Sequence, residues 1–224
     1  MQIFNNHKEK RMPKKIPSSQ LGIVVMFGAI WGLSETALGM GLRSCASMAS
    51  GSIMTGVALF FMAATWMVSR NVLGLCLLIV VASLFKMLDA LLLSLPLQHG
   101  AVANPIFAFL MEGLAFLILI GIAREKLKQN LAGQAILGGT TALLAVNLFP
   151  LVKFATGIPA CVFPGTSTPL SLYYAPLAIC LSLITVPLGF WVGKEAEDLE
   201  PKIKVFSPAT LILCLAVIIL MRLS

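Results

Sequence analysis

LGIVVMFGAIWGLSETALGMGL, residues 21–42, is an apolar run of 22 residues holding a single carboxylate, Glu35. Roughly 20 apolar residues rising about 1.5 Å each cross the ~30 Å hydrocarbon core of a bilayer, so the run reads as a transmembrane helix. An ionised acid at that depth is costly unless it faces protein, water or a cation. An intramembrane ionisable residue is therefore a functional candidate by default. The competing reading is a glutamate satisfied by its neighbours that only fixes helix packing.

The surrounding composition agrees with a membrane span. Of 224 residues 58% are hydrophobic and 11% charged, with a mean hydropathy of +0.96; a soluble domain carries about 25% charged residues. The expectation is an all-α polytopic membrane helix bundle with six to seven transmembrane helices, and no room for a sizeable soluble domain. The net charge of +7 does not point to nucleic acid, because the bases flank apolar spans and act as topology signals. Cys45, Cys76, Cys161, Cys180 and Cys214 are scattered without CxxC spacing, so they form neither a zinc site nor a disulfide framework. The start MQIFNNHKEKRMPKKIPSSQ is too long and charged for a signal-peptide n-region, and no A-x-A site follows. The first span is read as retained.

Along the chain, residues 1–20 form a basic cytoplasmic tail, and residues 21–193 a six-helix core with spans near 21–42, 53–69, 72–95, 104–123, 131–149 and 170–191. Four prolines within residues 150–169, PLVKFATGIPACVFPGTSTP, argue against a continuous helix and predict a lid-like outer segment. Residues 194–204 are a charged cytoplasmic linker. Residues 205–224 form a peripheral seventh helix. With the N-terminus inside, 12 Lys and Arg fall on the cytoplasmic side and 3 outside (Arg43, Lys153, Arg222). The positive-inside rule then selects N-in, in the cytoplasmic (inner) membrane of the cell.

Four ionisable residues lie within spans: Glu35, Lys86, Asp89 and Glu112. Counting about 1.5 Å per residue from the inner end puts them ~16–25 Å up, between the midplane and the outer leaflet. Lys86 and Asp89 are three residues apart and share a helix face. Three acids against one base leave a deficit of positive charge, which a cation, an amine or a proton completes. The expected pocket opens outward between the first, third and fourth helices. Trp31, on the same face as Glu35, supplies an aromatic wall; Asn104, Asn147, Tyr173 and Tyr174 are further hydrogen-bonding candidates. The candidate solute-binding residues are Glu35, Trp31, Lys86, Asp89, Glu112, Asn104 and Tyr173. No Walker A, GxSxG or HExxH motif occurs, and no histidine lies in a span, so neither metal, cofactor nor enzymatic activity is expected.

In size, basic N-terminus, helix bundle and polar outer pocket beneath a long loop, the chain resembles the substrate-binding S subunits of energy-coupling-factor vitamin transporters. That resemblance implies capture of a micronutrient from outside, with a separate transmembrane coupling subunit and ATPases as partners. The family's first helix carries an AxxxA docking pattern; here Gly28xxxGly32 stands in its place, and a seventh helix is added. A self-contained proton- or sodium-coupled secondary transporter is the alternative, with Glu35 and Glu112 as a titrating pair. An intramembrane enzyme and a structural subunit rank behind both.

Overall fold

In a bilayer every backbone N–H and C=O must find its partner within the chain, so apolar segments of this length become helices. The computed structural model describes residues 18–41, 48–92, 94–96, 99–123, 129–157, 162–163, 165–198 and 200–223. The tail to residue 17, Arg43 and the cluster Arg124–Lys128 lie outside the described residues. The helices are α1 (Ser18–Gly41), α2 (Met48–Ser69), α3 (Val72–Leu92), α4 (Gly100–Ile122) and α5 (Leu131–Leu148). After a 3-10 turn (Phe149–Leu151) come α6 (Val152–Thr156), α7 (Leu170–Asp198) and α8 (Glu200–Leu223). Among the described residues six helices, α1 to α5 and α7, are long and apolar enough to span a membrane. The chain is a multi-pass helical membrane protein.

The six spans close into a ring in which α2 packs on α7, α7 on α5, α5 on α4, α4 on α3, α3 on α1 and α1 back on α2. Their inward faces share one core that includes Trp31, Leu59, Met62, Leu75, Leu78, Phe109 and Phe116. Their outward faces leave Val80, Leu91, Ile122, Ile136, Ile184 and other large apolar side chains more than half uncovered, as lipid-facing surfaces are.

Helix direction follows from which residues meet. Gly51 lies against Tyr174, Gly189 against Phe60 and Gly193 against Ala64, so α2 and α7 run parallel. Gly28 meets Val81 and Gly32 meets Phe85, so α1 and α3 are parallel as well. The Gly28xxxGly32 face is thus consumed inside the chain. Small residues at such seams let backbones approach closely, which substitutes for the hydrophobic effect that lipid does not supply.

Several boundaries differ from the sequence reading. α4 starts at Gly100 and not near Asn104, because the His99 imidazole accepts a hydrogen bond from the Ala101 N–H at 3.2 Å and caps it. α7 continues through the first part of the charged linker to Asp198, since Lys194-Glu195-Ala196-Glu197 contains no Gly or Pro to stop it. Between Phe149 and Pro169 short elements replace a span. The 3-10 turn leads into α6, and an isolated bridge joins Val162 to Pro169. The Phe163 N–H bonds the Thr168 carbonyl at 3.0 Å around Gly165, whose φ is 78°. The last helix, α8, sits outside the ring on α1 and α3, with Cys214 and Ile218 buried against Ala29, Val81 and Phe85.

A side chain at Gly189 would place its Cβ 2.3 Å from the Phe60 carbonyl oxygen, and one at Gly193 would fall 2.5 Å from that of Ala64, whereas nothing lies within 4 Å of Gly121. We therefore expect Gly189→Ala and Gly193→Ala each to lower stability in detergent by about 1–3 kcal/mol through overpacking. Gly121→Ala should leave the unfolding midpoint unchanged, and thermal unfolding followed by fluorescence separates the three.

Candidate functional site

The polar residues of four helices converge near one end of the ring. A cavity of about 150 Å³ is lined by Glu35 of α1, Gly51, Met54 and Thr55 of α2, and Asn104, Pro105, Ala108, Phe109 and Glu112 of α4. Phe149 and Tyr174 complete the lining. A much smaller void of about 10 Å³ continues from it past Glu112 toward Ala145 and Val146 of α5.

Each carboxyl has a built setting. Glu35 is 1% exposed and Glu112 6%. The Trp31 indole N–H donates to Glu35 Oε1 at 3.4 Å, one helical turn away, and the Trp31 ring packs on Phe109 at 4.7 Å between centroids. The other oxygen, Glu35 Oε2, is buried with no hydrogen-bonding partner among the described residues, and so is Asn104 Oδ1. The Thr55 hydroxyl bonds the Glu112 carboxyl. Lys86 of α3 is buried and lies within electrostatic reach of Glu35; Glu35 in turn lies within reach of Glu112. Tyr174 is positioned from α2: its ring lies over Gly51, where a Cβ would come 2.6 Å from the ring, and its carbonyl accepts from the Ser52 hydroxyl at 3.1 Å.

Of the residues singled out in the sequence, Glu35, Glu112 and Asn104 line the cavity, and Trp31 orients Glu35. Lys86 stands behind Glu35 and is not in the lining. The side chain of Asp89 lies outside the described residues. Tyr173 points elsewhere: its ring stacks on Phe163 at 4.2 Å and 17°. A helix turns about 100° per residue, so only one of two adjacent tyrosines can face the cavity. Asn147 donates back to the Leu143 carbonyl at 2.7 Å on an exposed face. Thr55, Phe109 and Phe149 were not selected from the sequence. Hydroxyls and rings are common in spans, and no spacing marks these three.

The cavity presents acceptors in excess of donors. Two carboxyls and a carboxamide oxygen converge, and two of their oxygens, Glu35 Oε2 and Asn104 Oδ1, lack a hydrogen-bonding partner among the described residues. A buried acceptor left without a partner costs about 1–3 kcal/mol, so the arrangement favours a guest that donates hydrogen bonds or carries positive charge. Phe109, Phe149 and Tyr174 give that guest aromatic surroundings suited to an organic cation. Among the described residues no group of three or more His, Cys, Asp or Glu could hold a metal ion. No protein-family model, curated protein or solved structure matches this chain.

Removing the Lys86 charge strands a buried carboxyl, whereas removing both charges does not. Lys86→Met should therefore destabilise the protein, and adding Glu35→Gln should restore part of the loss. A double-mutant cycle on unfolding midpoints is expected to give a coupling of about 0.5–3 kcal/mol.

Proposed function

We propose that this chain is a membrane transport protein that binds a small polar or cationic solute between α1, α2, α4 and α7. The observation that carries the reading is the meeting of Glu35 and Glu112, from separate spans, around one cavity with unpartnered acceptor oxygens. Acids held in this way are rarely ornamental, since apolar packing of similar volume would cost less.

Cavity size limits the guest. About 150 Å³ is comparable to a site that holds benzene, and below the ~300–1,000 Å³ of pockets for larger organic ligands. A compact amine of roughly that bulk fits as the cavity stands. A complete vitamin requires the segment beyond Phe149 to swing aside. That segment abuts the cavity through Phe149, and its turn is tied to α7 by the Phe163–Tyr173 stack.

Two ways of driving transport are compatible with such a site. As an S subunit of energy-coupling-factor type, in the cytoplasmic membrane with the N-terminus inside, the chain would capture solute and rely on a coupling subunit and ATPases. The docking face would then have to lie away from Gly28 and Gly32, because Val81 and Phe85 of α3 occupy that side. This occupation favours the second mode, a self-contained proton- or sodium-coupled transporter in which Glu35 and Glu112 exchange a coupling cation with the solute. Uptake by the purified chain in liposomes under an imposed proton or sodium gradient supports the second mode; binding without turnover supports the first.

Glu35→Ala and Glu112→Ala are each expected to abolish solute binding while the protein still inserts. The readout is ligand-induced thermal stabilisation against a panel of small amines and vitamins, and unchanged stabilisation in both variants overturns the site. Tyr174→Phe should weaken binding by about tenfold if its hydroxyl contacts the solute, one hydrogen bond's worth. Tyr173→Phe should not.

A further inference from the structure

A second cavity, larger than the acidic one, lies among the described residues. A groove of about 750 Å³ opens at the other end of the ring, between the last turns of α2, the start of α5 and the last third of α7. Along α2 the distance from Thr55 to the Trp66–Arg70 turn is about 17–22 Å at 1.5 Å per residue, so the two sites stand at different membrane depths.

The lining repeats one pattern on two parallel helices. On α2, Trp66 and Arg70 are four residues apart; on α7, Trp191 and Lys194 are three apart, and all four line the groove. Those spacings put an indole and a cation on one face of each helix, with the cation nearer the helix's C-terminal end than the indole. Arg70 holds its place at a cost: it ends α2 with φ 45°, a left-handed conformation that glycine adopts freely, while its N–H bonds the Trp66 carbonyl at 2.8 Å. The rest of the lining is apolar (Met67, Leu131, Pro187, Leu188 and Phe190) apart from the neutral Gln129 and Gln134, and no carboxylate lines the groove among the described residues. Trp191 is 60% exposed, which a tryptophan at the lipid–water boundary tolerates and a core tryptophan does not.

We propose that this groove binds an anionic phospholipid. Its phosphate sits between Arg70 and Lys194, its glycerol backbone lies at the level of the two indoles, and its acyl chains run down the apolar floor toward the ring's lipid face. Charge complementarity selects this occupant. A zwitterionic headgroup gains little from two cations with no facing carboxylate, and an apolar partner helix would bury those cations unpaired. The site is independent of the solute cavity.

The test uses the full chain in mild detergent. Thermal unfolding is followed with short-chain phosphatidylglycerol, with short-chain phosphatidylcholine and with inorganic phosphate. Phosphatidylglycerol is expected to raise the midpoint, saturably and in a manner weakened by ~1 M salt, whereas phosphatidylcholine and phosphate are not. In Arg70→Gln/Lys194→Gln the apparent affinity for phosphatidylglycerol should fall about tenfold or more, and the charge-preserving Arg70→Lys/Lys194→Arg should retain it. Equal stabilisation by the two lipids, the full effect from phosphate alone, or an unchanged response in the Gln variant overturns the proposal. Should the Gln variant fail to fold, a salt-insensitive response of the unaltered protein overturns it equally.

Discussion

The parallel seam between α2 and α7 is the contact on which the arrangement of the molecule depends. Where Gly189 and Gly193 touch the α2 backbone, the two helices approach more closely than side chains of ordinary size allow. Lipid offers no hydrophobic reward for bringing spans together, so close van der Waals contact has to supply it. This seam fixes the register at both ends. Toward one end it sets Tyr174 over Gly51, one turn from Thr55; toward the other it sets Trp66 and Arg70 beside Trp191 and Lys194.

The acidic cavity follows from that register, together with the packing of α1 and α4 across the ring. Glu35 and Glu112 come from spans that are distant in sequence, and Glu35 Oε2 finds no hydrogen-bonding partner among the described residues. Trp31 and Thr55 each satisfy one carboxyl in part, and Lys86 supplies a nearby positive charge. What remains is a small, acceptor-rich space with aromatic walls. Its dimensions weigh as much as its charge, because they favour a compact cationic guest over a large one in this conformation.

The chain carries opposite electrostatic characters at its two ends. Acids and orphaned acceptors lie within the bundle near one surface, while cations and indoles rim a groove near the other.

The sequence alone was sufficient for the membrane character and the six long spans. Those properties depend on local hydropathy, charge and backbone chemistry, which a linear reading contains. It also named Glu35 and Glu112, because a carboxylate in an apolar run is conspicuous wherever the helix packs. Only the tertiary structure decided that these two acids share a cavity and that Tyr174 faces it while Tyr173 does not. It also decided that Gly28 and Gly32 serve α3 and that the larger groove lies at the opposite end. Each of these depends on the rotation and register of one helix against another. Near-uniformly apolar spans leave that rotation unmarked, since every face of the helix reads alike until a neighbour covers it.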